Sequence, residues 1–131
     1  MPFTIRFKTN KFDVSKERKN PINPICGHSL LDWLRDVAKD RVSITKPVAE
    51  DWGWYSTLEC DGRTYLIGAS VFYEKGQNPN DKLEWVFQIE KQRSFIEKIL
   101  EKEKMRNDDS CLLFFKSIFE SNSDFKEIEI E

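Results

Sequence analysis

A chain of 131 residues with ten Phe and four Trp can bury a ring-rich core as one domain, without disulfide or metal staples. Charged residues make up 34% in near balance, and a net charge of −2 argues against a general nucleic-acid binder, which carries a marked basic excess. No apolar run approaches the length that crosses a bilayer, and Met1-Pro2-Phe3-Thr4-Ile5-Arg6 lacks the apolar stretch of a leader, so a cytoplasmic location is expected.

Residues 3–8 alternate Phe3, Ile5 and Phe7 with Thr4, Arg6 and Lys8, the pattern of a half-buried strand. Residues 9–26 are polar, carry Pro21 and Pro24, and read as a long loop. Ser29, with Asp32 three residues on, reads as a helix N-cap. The helix that follows ends near Arg41 and would bury Leu30, Leu34, Val37 and Ala38, with Leu31 and Trp33 at the borders. Residues 42–45 form a short strand or a linker, stopped by Pro47. A β-hairpin then spans residues 51–74, folded at Asp61-Gly62, a pair suited to the positive φ angles of a type I′ turn.

Turn-rich residues 75–82 lead to a third meander strand over 83–91. Ser94 and Glu97 form a capping box for a helix to about Met105, with Phe95, Ile96, Ile99 and Leu100 as its buried stripe. Asn107-Asp108-Asp109 breaks and recaps the chain for a helix over 109–121. Its wide apolar arc through Leu112, Leu113, Phe114, Phe115, Ile118 and Phe119 predicts burial on two sides. Residues 125–131 close the chain as a strand with Ile128 and Ile130 pointing one way. The order β-α-β-β-β-α-α-β predicts an α+β fold: an antiparallel sheet of about five strands with helices packed on one face.

Charge is unevenly spread. Residues 1–20 hold six Lys or Arg against two acids, and residues 120–131 hold five acids against one Lys. Terminal strands lying side by side would account for this as cross-strand complementarity; a basic arm or acidic tail for a partner is the functional alternative.

With Asp61-Gly62 as the turn, residues equidistant from it face each other. Leu58 then faces Tyr65, Ser56 faces Ile67, Trp54 faces Ala69 and Trp52 faces Val71, a core face continued by Leu83, Trp85, Phe87 and Ile89. The opposite face carries Tyr55, Thr57 and Glu59 across from Gly68, Leu66 and Thr64, then Phe72, with Glu84, Val86, Gln88 and Glu90 on the third strand. Tyr55 is expected to cover the bare backbone at Gly68. A surface of aromatic, aliphatic and acidic groups suits a basic protein partner; the plain alternative is a solvated sheet face.

Chemistry is sparse. Cys26-Gly27-His28-Ser29 puts a thiol at a helix N-terminus two residues from the only His, which raises nucleophilic catalysis as a question. So close a pair rarely attains the geometry for attack and proton transfer, and a structural Cys beside a cap is the simpler reading. The three cysteines are widely spaced with no CxxC and read as reduced thiols. Glu50-Asp51 before Trp52 could act as a carboxylate pair in a pocket, but more simply ends a strand at a solvated edge. The five glycines make no phosphate-binding motif, one His and three scattered thiols make no zinc site, and no catalytic residue, cofactor or metal is assigned.

The run Glu50-Asp51-Trp52-Gly53-Trp54-Tyr55 leading into a hairpin resembles small bacterial proteins, some of them immunity proteins of polymorphic toxin systems. The resemblance covers about 25 residues. It implies a non-catalytic protein that neutralises a cognate toxin by occluding its active site, and it carries over no individual residue. The expected binding residues are Tyr55, Glu59, Phe72, Glu84 and Glu90, with Glu50 and Asp51 as rim charges. The expected partner is a protein, such as a basic toxin domain, with neither nucleic acid nor membrane involved and the chain a monomer or homodimer. Two alternatives stay open: a small enzyme or ligand-binding domain with a pocket near Trp52, Trp54, Cys26 and His28, and a self-associating structural domain.

Overall fold

The computed structural model describes residues 3–71, 73 and 76–131. The chain runs β1 (Phe3–Thr9), a 3-10 turn (Val14–Lys16), α1 (His28–Val37), β2 (Val48–Glu50), β3 (Gly53–Cys60), β4 (Arg63–Val71), β5 (Leu83–Lys91), α2 (Phe95–Ile99), α3 (Ser110–Glu120) and β6 (Lys126–Ile130). The strands form one antiparallel sheet in the order β2-β3-β4-β5-β1-β6. The fold is α+β, with six strands rather than about five.

The register follows from the turn. Asp61 and Gly62 both take positive φ, 52° and 77°, and set Trp54 opposite Ala69, Ser56 opposite Ile67 and Leu58 opposite Tyr65. β5 continues the meander and β1 pairs with it, Ile5 opposite Phe87 and Phe7 opposite Trp85. β6 lies on the far side of β1, so the two terminal strands are neighbours. Their opposed charges meet as Lys8–Glu127 (3.1 Å) and Arg6–Glu131 (3.8 Å), with Lys11–Asp124 (3.3 Å) just beyond the strands. These exposed pairs each contribute at most about 1 kcal/mol.

α1 and α3 cover one face of the sheet and enclose a core of rings. Phe119 packs on Phe7 at 4.8 Å between centroids and on Phe87 at 5.3 Å, Phe115 reaches Phe87 at 5.2 Å, and Phe12 reaches Trp85 at 5.2 Å. Asp109 anchors α3: one carboxylate oxygen caps the Cys111 and Leu112 amides, and the other accepts the Tyr65 hydroxyl at 2.8 Å. Burial, with that hydrogen bond, pushes the Tyr65 pKa well above its ordinary value.

Four local expectations give way to the structure. α1 begins at His28 with Gly27 as N-cap, and Ser29 does not cap it. Glu17 supplies the acceptor instead, its nearly buried carboxylate taking the Gly27 amide (2.7 Å) and the Ser29 hydroxyl. Opposite charge at a helix N-terminus is the favoured sign. Val37, expected in the core, is exposed because the helix ends there. α3 buries one face only, through Cys111, Leu112, Phe115 and Phe119, and leaves Leu113 in solvent.

The largest difference is α2. The capping box is present, yet the helix stops at Ile99, and none of its residues is buried. Glu101 and Glu103 adopt positive φ (54° and 59°), which ends the helical run well before Met105. Phe95, Ile96, Ile99 and Leu100 face solvent instead of the core.

α2 is held by the Arg63 guanidinium, which grips the Glu97 carboxylate at 2.8 and 2.9 Å. That pairing, reinforced by the Ser94 amide, lowers the Glu97 pKa from 4.5 to about 2. A carboxylate with a depressed folded-state pKa stabilises the fold above its free value and loses that contribution as pH falls through the folded one. Amide exchange in α2 should therefore be slower in the wild type than in Glu97→Gln at neutral pH. The difference should shrink between pH 4.5 and about 2. An unchanged difference at pH 2 would contradict the clamp.

Candidate functional site

The uncovered sheet face carries the candidate binding residues, and the register fixes their neighbours. Val48, Tyr55, Gly68, Gln88 and Thr4 form one row across five strands. Thr57, Leu66 and Glu90 form the next row, and Glu59 sits opposite Thr64 beyond it. With strands about 4.8 Å apart, such a row spans roughly 20 Å. Tyr55 and Leu66 are half-buried, and Val86 is buried even on this face.

Trp52 departs from its expected place. β2, which the sequence reading missed, pairs with β3 through Val48–Tyr55, Ala49–Trp54 and Glu50–Gly53, leaving Asp51-Trp52 as a two-residue turn. The strand therefore starts at Gly53, and Trp52 leaves the ladder before it could meet Val71. Its six-membered ring lies over Gly68, with atoms 2.5 and 2.6 Å from where a side-chain Cβ would stand. The indole, and not Tyr55, covers the bare backbone there. Trp52 remains 36% exposed, whereas Trp54 is 5% exposed and belongs to the core as expected.

The turn is pinned from the loop before α1. Buried Asn20 donates both amide hydrogens, to the Glu50 and Gly53 carbonyls (2.9 Å each), and its Oδ1 accepts the Ile22 (2.9 Å) and Asn23 (3.2 Å) amides. Asn23 adds a bond to the Asp51 carbonyl at 2.9 Å. Four hydrogen bonds to one buried amide fix the turn that presents Trp52. These two asparagines act thirty residues from their partners, so no local pattern announces them.

The acids divide into two groups. Glu50 and Asp51 precede Trp52 at the turn, while Glu59 stands at the far end of β3 and Glu90 two strands away on β5. Glu84 lies at the opposite end of β5, facing Lys8 across the ladder and 3.8 Å from Arg6. Arg6 and Lys8 share this face with Glu84, whereas Glu50, Asp51, Glu59 and Glu90 form no ion pair among the described residues. Phe72 lies outside the described residues, as does Glu74 at the expected end of the hairpin.

Beside Trp52 opens a pocket of about 420 Å³ lined by Pro24, Ile25, Cys26, Trp52, Val71 and Tyr73, among others. Its back is set by the loop running alongside β4, where the Val71 amide donates to the Cys26 carbonyl at 3.1 Å. Of the four residues expected around one pocket, Trp52 and Cys26 line it. Trp54 and His28 pack on each other behind it, 5.0 Å between rings, and Trp54 donates to the Ile25 carbonyl at 3.1 Å.

The Cys26–His28 arrangement does not form a nucleophile and base. His28 Nε2 accepts the Arg18 amide at 2.7 Å, which leaves the proton on Nδ1 for Asp32 at 3.0 Å. Both ring nitrogens are thus engaged away from the thiol. Burial and the nearby Glu17 carboxylate raise the Cys26 pKa, opposite to what an activated thiolate needs. Cys60 and Cys111 are also free and buried, and burial pushes both thiols up. Among the described residues no group of three or more His, Cys, Asp or Glu could hold a metal ion. No helix among them is long and apolar enough to cross a membrane.

The chain matches no protein-family model, no curated protein and no solved structure.

Asn20→Ala should lower stability by about 1–3 kcal/mol in chemical denaturation, because it strands buried carbonyls; an effect within error would remove Asn20 as the anchor. Gly68→Ala should leave the melting temperature nearly unchanged but displace the Trp52 ring, read as a fluorescence shift absent from the same substitution in a Trp52→Phe background.

Proposed function

We propose that this is a non-enzymatic binding protein of the immunity type, which inhibits a cognate basic toxin domain through the β2–β3 side of the uncovered sheet face. The observation that carries the reading is the Trp52 turn: a part-exposed indole, held by Asn20 over Gly68 beside Tyr55, with Glu50 and Asp51 just before it in the same turn. Rigid aromatic rings on an immobilised backbone lose little entropy on association and are the residues that dominate binding energies. Unmatched acids at Glu50, Asp51, Glu59 and Glu90 would steer a basic partner and sharpen its selection. Glu84, already matched by Arg6 and Lys8, serves that steering least.

A second reading, a ligand-binding domain, draws on the 420 Å³ pocket beside Trp52. On the immunity reading the same pocket receives an apolar side chain of the partner. The self-associating alternative would place a second copy on the same face.

The test is co-expression with the toxin encoded beside the gene, followed by affinity measurement on the purified pair. Wild type should rescue growth, and Trp52→Ala should weaken binding by about thirtyfold or more, as anchor residues do. Glu59→Lys should slow association with little change in the dissociation rate. Unchanged affinity in Trp52→Ala would exclude this face, and a wild-type dimer dissociated by that substitution would favour self-association.

A further inference from the structure

α2 projects four large apolar side chains into solvent at the end of the molecule where the β3–β4 turn lies. Phe95, Ile96, Ile99 and Leu100 fall on one side of the helical turn, and each is more than half exposed, Phe95 to 76%. Together they present an apolar surface of roughly a few hundred Å², comparable to the largest patch on a typical monomer, which is often functional. The rigid mount matters: the capping box and the Arg63 clamp hold the helix in place although none of its residues is buried.

The segment that carries this patch is rich in cations, although Glu90, Glu131, Asp108 and Asp109 line the clefts beside it. Residues 91–106 hold six Lys or Arg (Lys91, Arg93, Lys98, Lys102, Lys104, Arg106) against three Glu, in a chain whose net charge is −2. All three acids are engaged: Glu97 with Arg63, Glu103 with Lys91 at 3.0 Å and Glu101 with Lys104 at 3.6 Å. Among the described residues Lys98, Lys102 and Arg106 form no ion pair. Arg93 stands with them, donating only to the Lys102 carbonyl. A cleft of about 580 Å³ lined by Phe3, Arg93, Lys98, Lys104, Met105 and Glu131, among others, adjoins the helix.

We propose that α2 is a peripheral membrane-docking element, whose apolar side chains enter the headgroup–acyl boundary of an anionic bilayer while the surrounding cations meet lipid phosphates. A short helix turn with Phe, Ile and Leu on one side and Lys and Arg around it is what that boundary accepts, and surface potential adds to the apolar term with each cation. A second copy of this chain fits less well. It would bring the same surplus cations against each other, and a patch of a few hundred Å² falls short of the roughly 800 Å² per partner of a stable protein interface. The sequence excluded a spanning segment, and this contact requires none. It is separate from the Trp52 turn, which lies at the other end of β3, although Glu90 of the proposed toxin-binding face lines the same cleft.

The test is flotation of the full chain with vesicles of phosphatidylcholine alone or mixed with phosphatidylglycerol. The protein should float with the anionic vesicles, stay behind with the neutral ones, and be released by high salt but not by inorganic phosphate added at constant low ionic strength. Lys98→Gln with Lys102→Gln should weaken partition about thirtyfold. Ile96→Glu with Ile99→Glu should abolish it without changing the melting temperature, since neither side chain is buried. Trp52→Ala should float as the wild type does, which separates this surface from the proposed inhibitory one. Absence from anionic vesicles, or equal binding to neutral ones, would overturn the proposal. So would a dimer in sedimentation that Ile99→Glu dissociates, because a second copy would then occupy the patch.

Discussion

The turn at Asp61-Gly62 is the constraint on which the remaining architecture rests. Positive φ at both residues closes the hairpin with the strand twist already correct, and it leaves a single register. A slip of one residue would move Trp54, Ser56 and Leu58 into solvent and turn Tyr55, Thr57 and Glu59 inward. With that register set, β5 and then β1 can add only in the alignment that continues the apolar face, and α3 finds a surface of Phe7 and Phe87 on which to lay Phe115 and Phe119. Asp61 also accepts the Ser110 hydroxyl, so the turn is tied directly to the start of α3.

Much of the fold was legible because it depends on period and on turn chemistry. The alternation of 3–8 and 83–91, the Asp-Gly pair, and the opposite charges of the two ends all act through near neighbours or through one simple pairing rule. What escaped depends on partners distant in sequence. Glu17 caps α1 from across the loop, Asn20 fashions the β2–β3 turn from thirty residues upstream, and a three-residue strand offers too little pattern to be seen. The stripe of α2 failed for a different reason. Its spacing is that of a buried helix face, but spacing records only that the side is apolar and does not identify what covers it.

The misplacement of Trp52 follows from the missing strand and changes the functional reading. Counted from Asp61-Gly62 alone, Trp52 belongs to the core face. The second tight turn makes β3 begin at Gly53, just after Trp52, and swings the indole over Gly68, so the most conspicuous residue of the region joins the face that the sequence already favoured for binding. The acids sort differently as well, since Arg6 and Lys8 share that face and neutralise its β1 side. Two surfaces of opposite character result: an acidic one with Trp52 and Tyr55 near β2, and a basic one with exposed Phe, Ile and Leu at α2. Catalysis finds no support at Cys26, where the imidazole is engaged elsewhere and burial raises the thiol pKa.

The position of Trp52 is the point at which the account is most exposed. Hydroxyl-radical footprinting with residue-level mass spectrometry reads it directly and needs no partner. Trp52 should be oxidised rapidly, while Trp54 and Trp85, at 5% and 0% exposure, should be strongly protected. Protection of Trp52 equal to that of Trp54 would place it back in the core and contradict both the second turn and the binding face built on it.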